Sequence, residues 1–191
     1  MSYYLVGAFD RHNYGDILFP MVHSQFIREQ QGDDVHIEYV AITEADLRAC
    51  DGYVTRSLKS VLRSELSPED RVILCGGDIL SADWLLIVAH ISSPMMMKPA
   101  RALRRLLGIN ITNGLVRRAL GEVNAYPYVV GNNTNAEAYY TAVGGSGFAE
   151  EKGGHLKAVV RELRSAASVT VRDHKVAGLL KSENLDCLTV P

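Results

Sequence analysis

The sequence lacks any apolar run long enough to cross a bilayer: the longest, residues 84–89, falls far short of the roughly 20 residues such a helix needs. It also lacks a basic leader followed by a signal-length apolar stretch, so secretion is not expected and a cytoplasmic setting is. Cysteine is scarce. Cys50, Cys75 and Cys187 show no CxxC spacing, which argues against a disulfide framework or a zinc site and for free, buried thiols in a reducing compartment. Strong net charge is missing too: a formal charge of -2 argues against a protein whose main work is neutralising nucleic-acid phosphates, although local basic patches can still matter. No Walker motif and no GxGxxG fingerprint follows a strand, and no lysine follows the glycine clusters, so nucleoside triphosphates and dinucleotides have no support. The six histidines, including His12 and His155, form no HExxH or other close ligand spacing, and no metal is expected.

What remains is ordinary globular composition, 47% hydrophobic and 22% charged over 191 residues, enough for one continuous core. Periodicity predicts a strand over 3–9, a helix over 15–31, a strand over 35–42, a helix over 55–66 and a strand over 71–75. A helix over 79–90 follows. Residues 91–123 are less regular and read as a helical insertion or cover. The rhythm resumes with strands over 126–130 and 140–143, a helix over 155–165, a strand over 169–171, a helix over 174–182 and a strand over 187–190. Alternation of this kind implies an α/β domain spanning 1–191 around a parallel sheet.

In such a sheet, ligands bind beyond the carboxyl ends of the strands. Four loops lie there: 7–16 (GAFDRHNYGD), 75–78 (CGGD), 143–147 (VGGSG) and 171–173 (VRD). In the first, His12, Asn13, Gly15 and Asp16 stand between a strand and a helix, suited to a sugar or phosphate, although Asn13 or Asp16 capping the helix is an equally good reading. Gly76, Gly77, Asp78, Gly145 and Gly147 allow close backbone approach, and they serve ordinary turns at least as often. Arg172 either binds an anion or pairs with acidic neighbours such as Asp173. The segment from Lys98 to Arg118 interleaves six basic residues with leucine and isoleucine. It either rests on an anionic membrane surface or packs its apolar side on the domain, the second being the commoner arrangement.

The order NYGD, strand into GG, strand into GxG and SVTVRD before a helix resembles the polysaccharide pyruvyl transferases. The resemblance spans nearly the whole chain. It implies a Rossmann-like parallel sheet flanked by helices, similar to the N-terminal domain of a two-domain GT-B-type transferase, with a C-terminal domain or partner chain completing the cleft. The implied reaction moves pyruvate from phosphoenolpyruvate, with no other cofactor, onto two hydroxyls of a hexose in a cell-envelope exopolysaccharide. Asn13, Gly15 and Asp16 match the family's NxGD loop, Gly76 and Gly77 its glycine turn, and Arg172 with Asp173 its "RD" strand end. Asp16 takes the hydroxyl-binding or base role. Asp78 departs from the family's third glycine. In the family the donor is held largely by the second domain, so this half offers acceptor-facing loops, and a homodimer across the exposed cleft face is expected. Two other readings stand beside it: half of a nucleotide-sugar glycosyltransferase, and a noncatalytic glycan-binding module.

Overall fold

The computed structural model describes residues 1–11, 13–64, 66–92, 94–131, 133–150 and 154–190. Its centre is an eight-stranded sheet: β1 (Ser2–Val6), β2 (His36–Ala41), β3 (Ala45–Asp46), β4 (Val54–Ser57), β5 (Arg71–Cys75), β6 (Glu137–Val143), β7 (Ser168–Val171) and β8 (Leu188–Thr189). They lie in the order β3-β4-β2-β1-β5-β6-β7-β8, parallel except for the short antiparallel pair of β3 and β4. The fold is α/β and Rossmann-like.

Side-chain alternation along the strands builds two cores of unequal size. Tyr4, Val6, Val72, Leu74, Ala138, Tyr140, Val169 and Val171 face the larger one. That core is closed by α2 (Leu58–Arg63), α6 (Gly154–Leu163) and α7 (His174–Ser182). The intervening positions Leu5, Ala41 and Cys75 face a smaller core covered by Ile27 and Phe19 of α1 (Tyr14–Gln31). Burial of alternate positions on both faces is what a parallel sheet between helices demands. Beside the larger core stand α3 (Trp84–Ser92) and a pair of helices, α4 (Met97–Leu107) and α5 (Ile109–Leu120).

Several expectations are corrected here. The segment 55–63, expected as part of a helix over 55–66, is strand then helix: β4 pairs with β2 at Val40 and Ala41, and only after Ser57, whose hydroxyl caps α2 at Ser60 N (3.2 Å), does the chain turn helical. The helix expected over 79–90 starts later, because Asp83 accepts from Leu86 N (3.0 Å) at its N-terminus. The strand expected over 126–130 is a buried loop with a single bridge between Tyr126 and Val129. Side chains, not a ladder, tie down this loop and the two residues leading into it. Trp84 Nε1 donates to Asn124 O (3.2 Å), Asn113 Nδ2 donates to Ala125 O (2.6 Å), and Val130 N donates to the Tyr140 hydroxyl (3.0 Å). Cys75 and Cys187 are buried, while Cys50 is exposed.

His155, 1% exposed, stacks on Tyr126 with ring centroids 4.5 Å apart and meets Phe148 edge-on at 5.3 Å. In α4 and α5 much of the apolar side faces outward, with Leu103, Leu106, Ile111 and Leu115 all exposed. Packing on the domain therefore takes only part of the apolar surface of this insertion. Among the described residues no helix is long and apolar enough to cross a membrane, and no group of His, Cys, Asp or Glu is arranged to hold a metal.

Candidate functional site

The strand order fixes where a ligand site can form. β2 adjoins one side of β1 and β5 the other, so the connection leaving β1 and the connection leaving β5 diverge, opening a crevice at their carboxyl ends. A cleft of about 510 Å³ lies there, with Arg11, Asn13, Asp16, Gly77, Asp78, Tyr128 and Arg172 in its wall and Ala8, Phe19, Ile79 and Ile87 as its apolar part. A second depression of about 460 Å³ runs along α1 near Gln25, Arg28 and Asp33, away from the strand ends.

Asn13 combines the two roles left open by the sequence. Its Oδ1 accepts from Gly15 N (3.2 Å), capping α1, while its Nδ2 donates to Asp16 Oδ2 (2.8 Å). The cap thus orients the carboxylate. Burial raises the pKa of Asp16, opposed by the Asn13 hydrogen bond and by the charges of Arg11 and Arg172. A carboxylate raised in this way is a better base than one free in water.

Opposite it, Arg11 is held by two partners. Its Nε donates to Asp10 Oδ1 (3.0 Å) and its terminal nitrogen donates to the Tyr128 hydroxyl (3.2 Å). Asp10 is itself fixed by Thr43, through N (3.0 Å) and Oγ1 (2.9 Å). Tyr128 is buried, which pushes its pKa up and keeps it a neutral hydroxyl. Arg172 leaves β7 with its backbone N donating to Val143 O (3.2 Å). Its guanidinium lies over Gly144, where a Cβ would stand 2.7 Å from Nε. Among the described residues that guanidinium has no hydrogen-bond or ion-pair partner, so its charge is available to the cleft.

The glycine turn after β5 brings these groups together. Gly76 and Gly77 both take positive φ, 57° and 75°, and a Cβ on Gly76 would fall 2.4 Å from the Phe19 ring. Absence of a side chain lets the turn press against α1, placing Gly77 beside Asp16. The turn is also tied to the exit of β6, through Gly144 N to Gly77 O (2.7 Å) and Gly76 N to Thr141 O (2.7 Å). Asp78 accepts from Ser146 N (2.8 Å) and from the Ser146 hydroxyl, so one carboxylate locks two loops.

Of the residues singled out in the sequence, Asn13, Gly15, Asp16, Gly77, Asp78 and Arg172 share the cleft. Gly76 lies behind it against Phe19, and Gly145 and Gly147 pack on Phe148 and Ser81 in the adjoining loop. Asp173 caps α7, accepting from Val176 N (2.8 Å). His12 lies outside the described residues. Sequence reasoning passed over Arg11, Asp10 and Tyr128. The first two stand inside the loop already singled out, as a charged pair; nothing in the sequence joins residue 128 to residue 11.

No protein-family model matches the chain, and neither curated proteins nor solved structures yield a match.

Proposed function

We propose that this chain forms the acceptor wall of a pyruvyl transferase-like site, with a hexose in the cleft between β1 and β5 and phosphoenolpyruvate as the donor. The observation that carries the reading is convergence: the NYGD, GGD and VRD loops, far apart in sequence, meet in one cleft. A sugar needs polar groups for its hydroxyls and apolar surface for its ring face. Asn13, Asp16 and Asp78 supply the first, Phe19 and Ile79 the second.

Asp16 removes the proton from an attacking hydroxyl. That hydroxyl adds to C2 of the donor as the methylene carbon takes up a proton, inorganic phosphate leaves with its bonding pair, and the second hydroxyl closes the ketal. Arg11 and Arg172 stand where the carboxylate or departing phosphate gathers negative charge. The other wall, in a GT-B-like arrangement, comes from a second domain or a partner chain.

The test is incubation of the protein with phosphoenolpyruvate and a panel of hexose glycosides, following phosphate release and the ketal methyl signal by NMR, beside direct titration with each compound. Saturable hexose binding lost in Asp16→Asn, together with donor-dependent phosphate release once the second wall is supplied, is the expected result. Turnover of a nucleotide-sugar instead refutes the pyruvyl reading. Hexose binding with no turnover under any of these conditions assigns the chain to noncatalytic glycan recognition.

A further inference from the structure

The charge of this chain is unevenly distributed. Residues 84–121 contain six of its 20 Lys and Arg and none of its 22 acids, leaving 14 cations against 22 acids elsewhere. This stretch is the helical hairpin of α4 and α5 with α3 leading into it.

Its attachment to the body uses a defined subset of residues. Ala100 of α4 is buried, and Arg104 reaches the fully buried carboxylate of Asp83 at 3.2 Å. Thr112 and Asn113 of α5 are buried. At the far end Lys59 and Arg63 of α2 donate to the carbonyls of Leu120 (2.6 Å) and Gly121 (2.9 Å), closing the C-terminus of α5.

The rest of α4 divides into two exposed strips by helical spacing. Leu103, Leu106 and Leu107 lie three to four residues apart on one flank, 43%, 80% and 39% exposed. Lys98, Arg101 and Arg105 share the other flank, all exposed. On α5, Ile111 and Leu115, each 58% exposed, lie four apart, with Arg118 next along the same side. Lys98, Arg101, Arg105 and Arg118 make no ion pair among the described residues.

We infer that the α4–α5 hairpin docks on an anionic phospholipid bilayer, lying in the plane of the interface with its leucines and isoleucine at the headgroup boundary and its cations on lipid phosphates. A short amphipathic helix with one apolar and one cationic flank is the form such contacts take, and α4 is too short to enter any other way. Charge complementarity selects this occupant. A second copy of the hairpin would set cation against cation across an interface. Single-stranded nucleic acid would use Phe, Tyr or Trp rings for stacking, and residues 85–121 contain none of the three.

Flotation with vesicles is the test. The protein is mixed with phosphatidylcholine vesicles and with vesicles in which about a third of the lipid is phosphatidylglycerol, at low and high salt. It is expected to float with the anionic vesicles only, and less at high salt. At about fivefold per cation near a charged surface, Arg101→Gln with Arg105→Gln weakens binding about 30-fold. Leu103→Ser with Leu106→Ser weakens it by roughly tenfold or more. All four side chains are exposed, so the variants retain the wild-type thermal midpoint, and a circular dichroism melt confirms that they are folded. Equal flotation with neutral vesicles, or anionic flotation untouched by both double variants, overturns the inference. So does finding that these substitutions abolish self-association or oligonucleotide binding while vesicle binding is absent.

Discussion

Lowering the pH from 7 to 5 is expected to destabilise this protein by about 2 kcal/mol through a single residue, His155. Burial between Tyr126 and Phe148 drives its pKa from 6.5 down to about 4, with the charge of Asp83 working the other way and that of Arg104 adding to the fall. A histidine depressed in the folded state stays neutral there while the unfolded chain takes up a proton. Stability is therefore intact above the unfolded pKa and is lost as pH falls towards the folded one. At pH 5 the unfolded form is almost fully protonated and the native form barely so. Urea titrations at pH 7, 6 and 5 measure this directly, and Trp84, the one tryptophan and 2% exposed, reports unfolding by fluorescence. His155→Phe keeps an aromatic ring in the stack and removes the titration, so its stability should fall about 2 kcal/mol less than wild type over the same range. His155→Gln is the second, smaller replacement should the phenylalanine overpack. Parallel pH dependences for wild type and both variants would refute the reasoning.

Asp16→Asn is expected to stabilise the protein at pH 7, because a carboxyl whose folded pKa is raised costs stability once pH exceeds its unfolded value; the gain should vanish as pH drops below about 4, where Asp16 is protonated in both states. Thermal melts of the two proteins across that range show whether the sign is right. Gly76→Ala should cost roughly 2 kcal/mol or more, since it adds both a left-handed alanine and a methyl driven into the Phe19 ring, and a denaturant midpoint unchanged from wild type would contradict the account of that turn.

Much of the α/β order was legible because long elements carry their own period. The helix over 174–182 and the strand over 71–75 stand where the pattern of apolar residues sets them, stopped by Gly76 in the second case. The expected strand over 126–130 failed for an instructive reason: Tyr126, Tyr128, Val129 and Val130 are as apolar and β-prone as a strand, yet Val130 N is matched by the Tyr140 hydroxyl, and the carbonyls of Asn124 and Ala125 leading into the segment are taken by Trp84 and Asn113, partners 10 to 40 residues away. The helix read over 55–66 swallowed β4, because Val54–Ser57 is four residues long, with only two paired to each neighbour, and leaves a weak local imprint. For the cleft, the loops could be named from their glycines and their place after strands. The pairing of Arg11 with Tyr128 could not, since it depends on a loop the sequence does not mark as one.

The central strand has a cost in time. The neighbours of β1 are β2, starting at His36, and β5, where Tyr3 pairs with Arg71. On a ribosome, one edge of this strongly apolar strand stays open until β5, some 65 residues further along, has been made, with β2, β4 and α2 coming between. Non-local parallel pairing of that kind is slow and exposes an edge to other chains in the meantime. Slowed synthesis or a chaperone acting between β1 and β5 should therefore bear on the yield of this sheet.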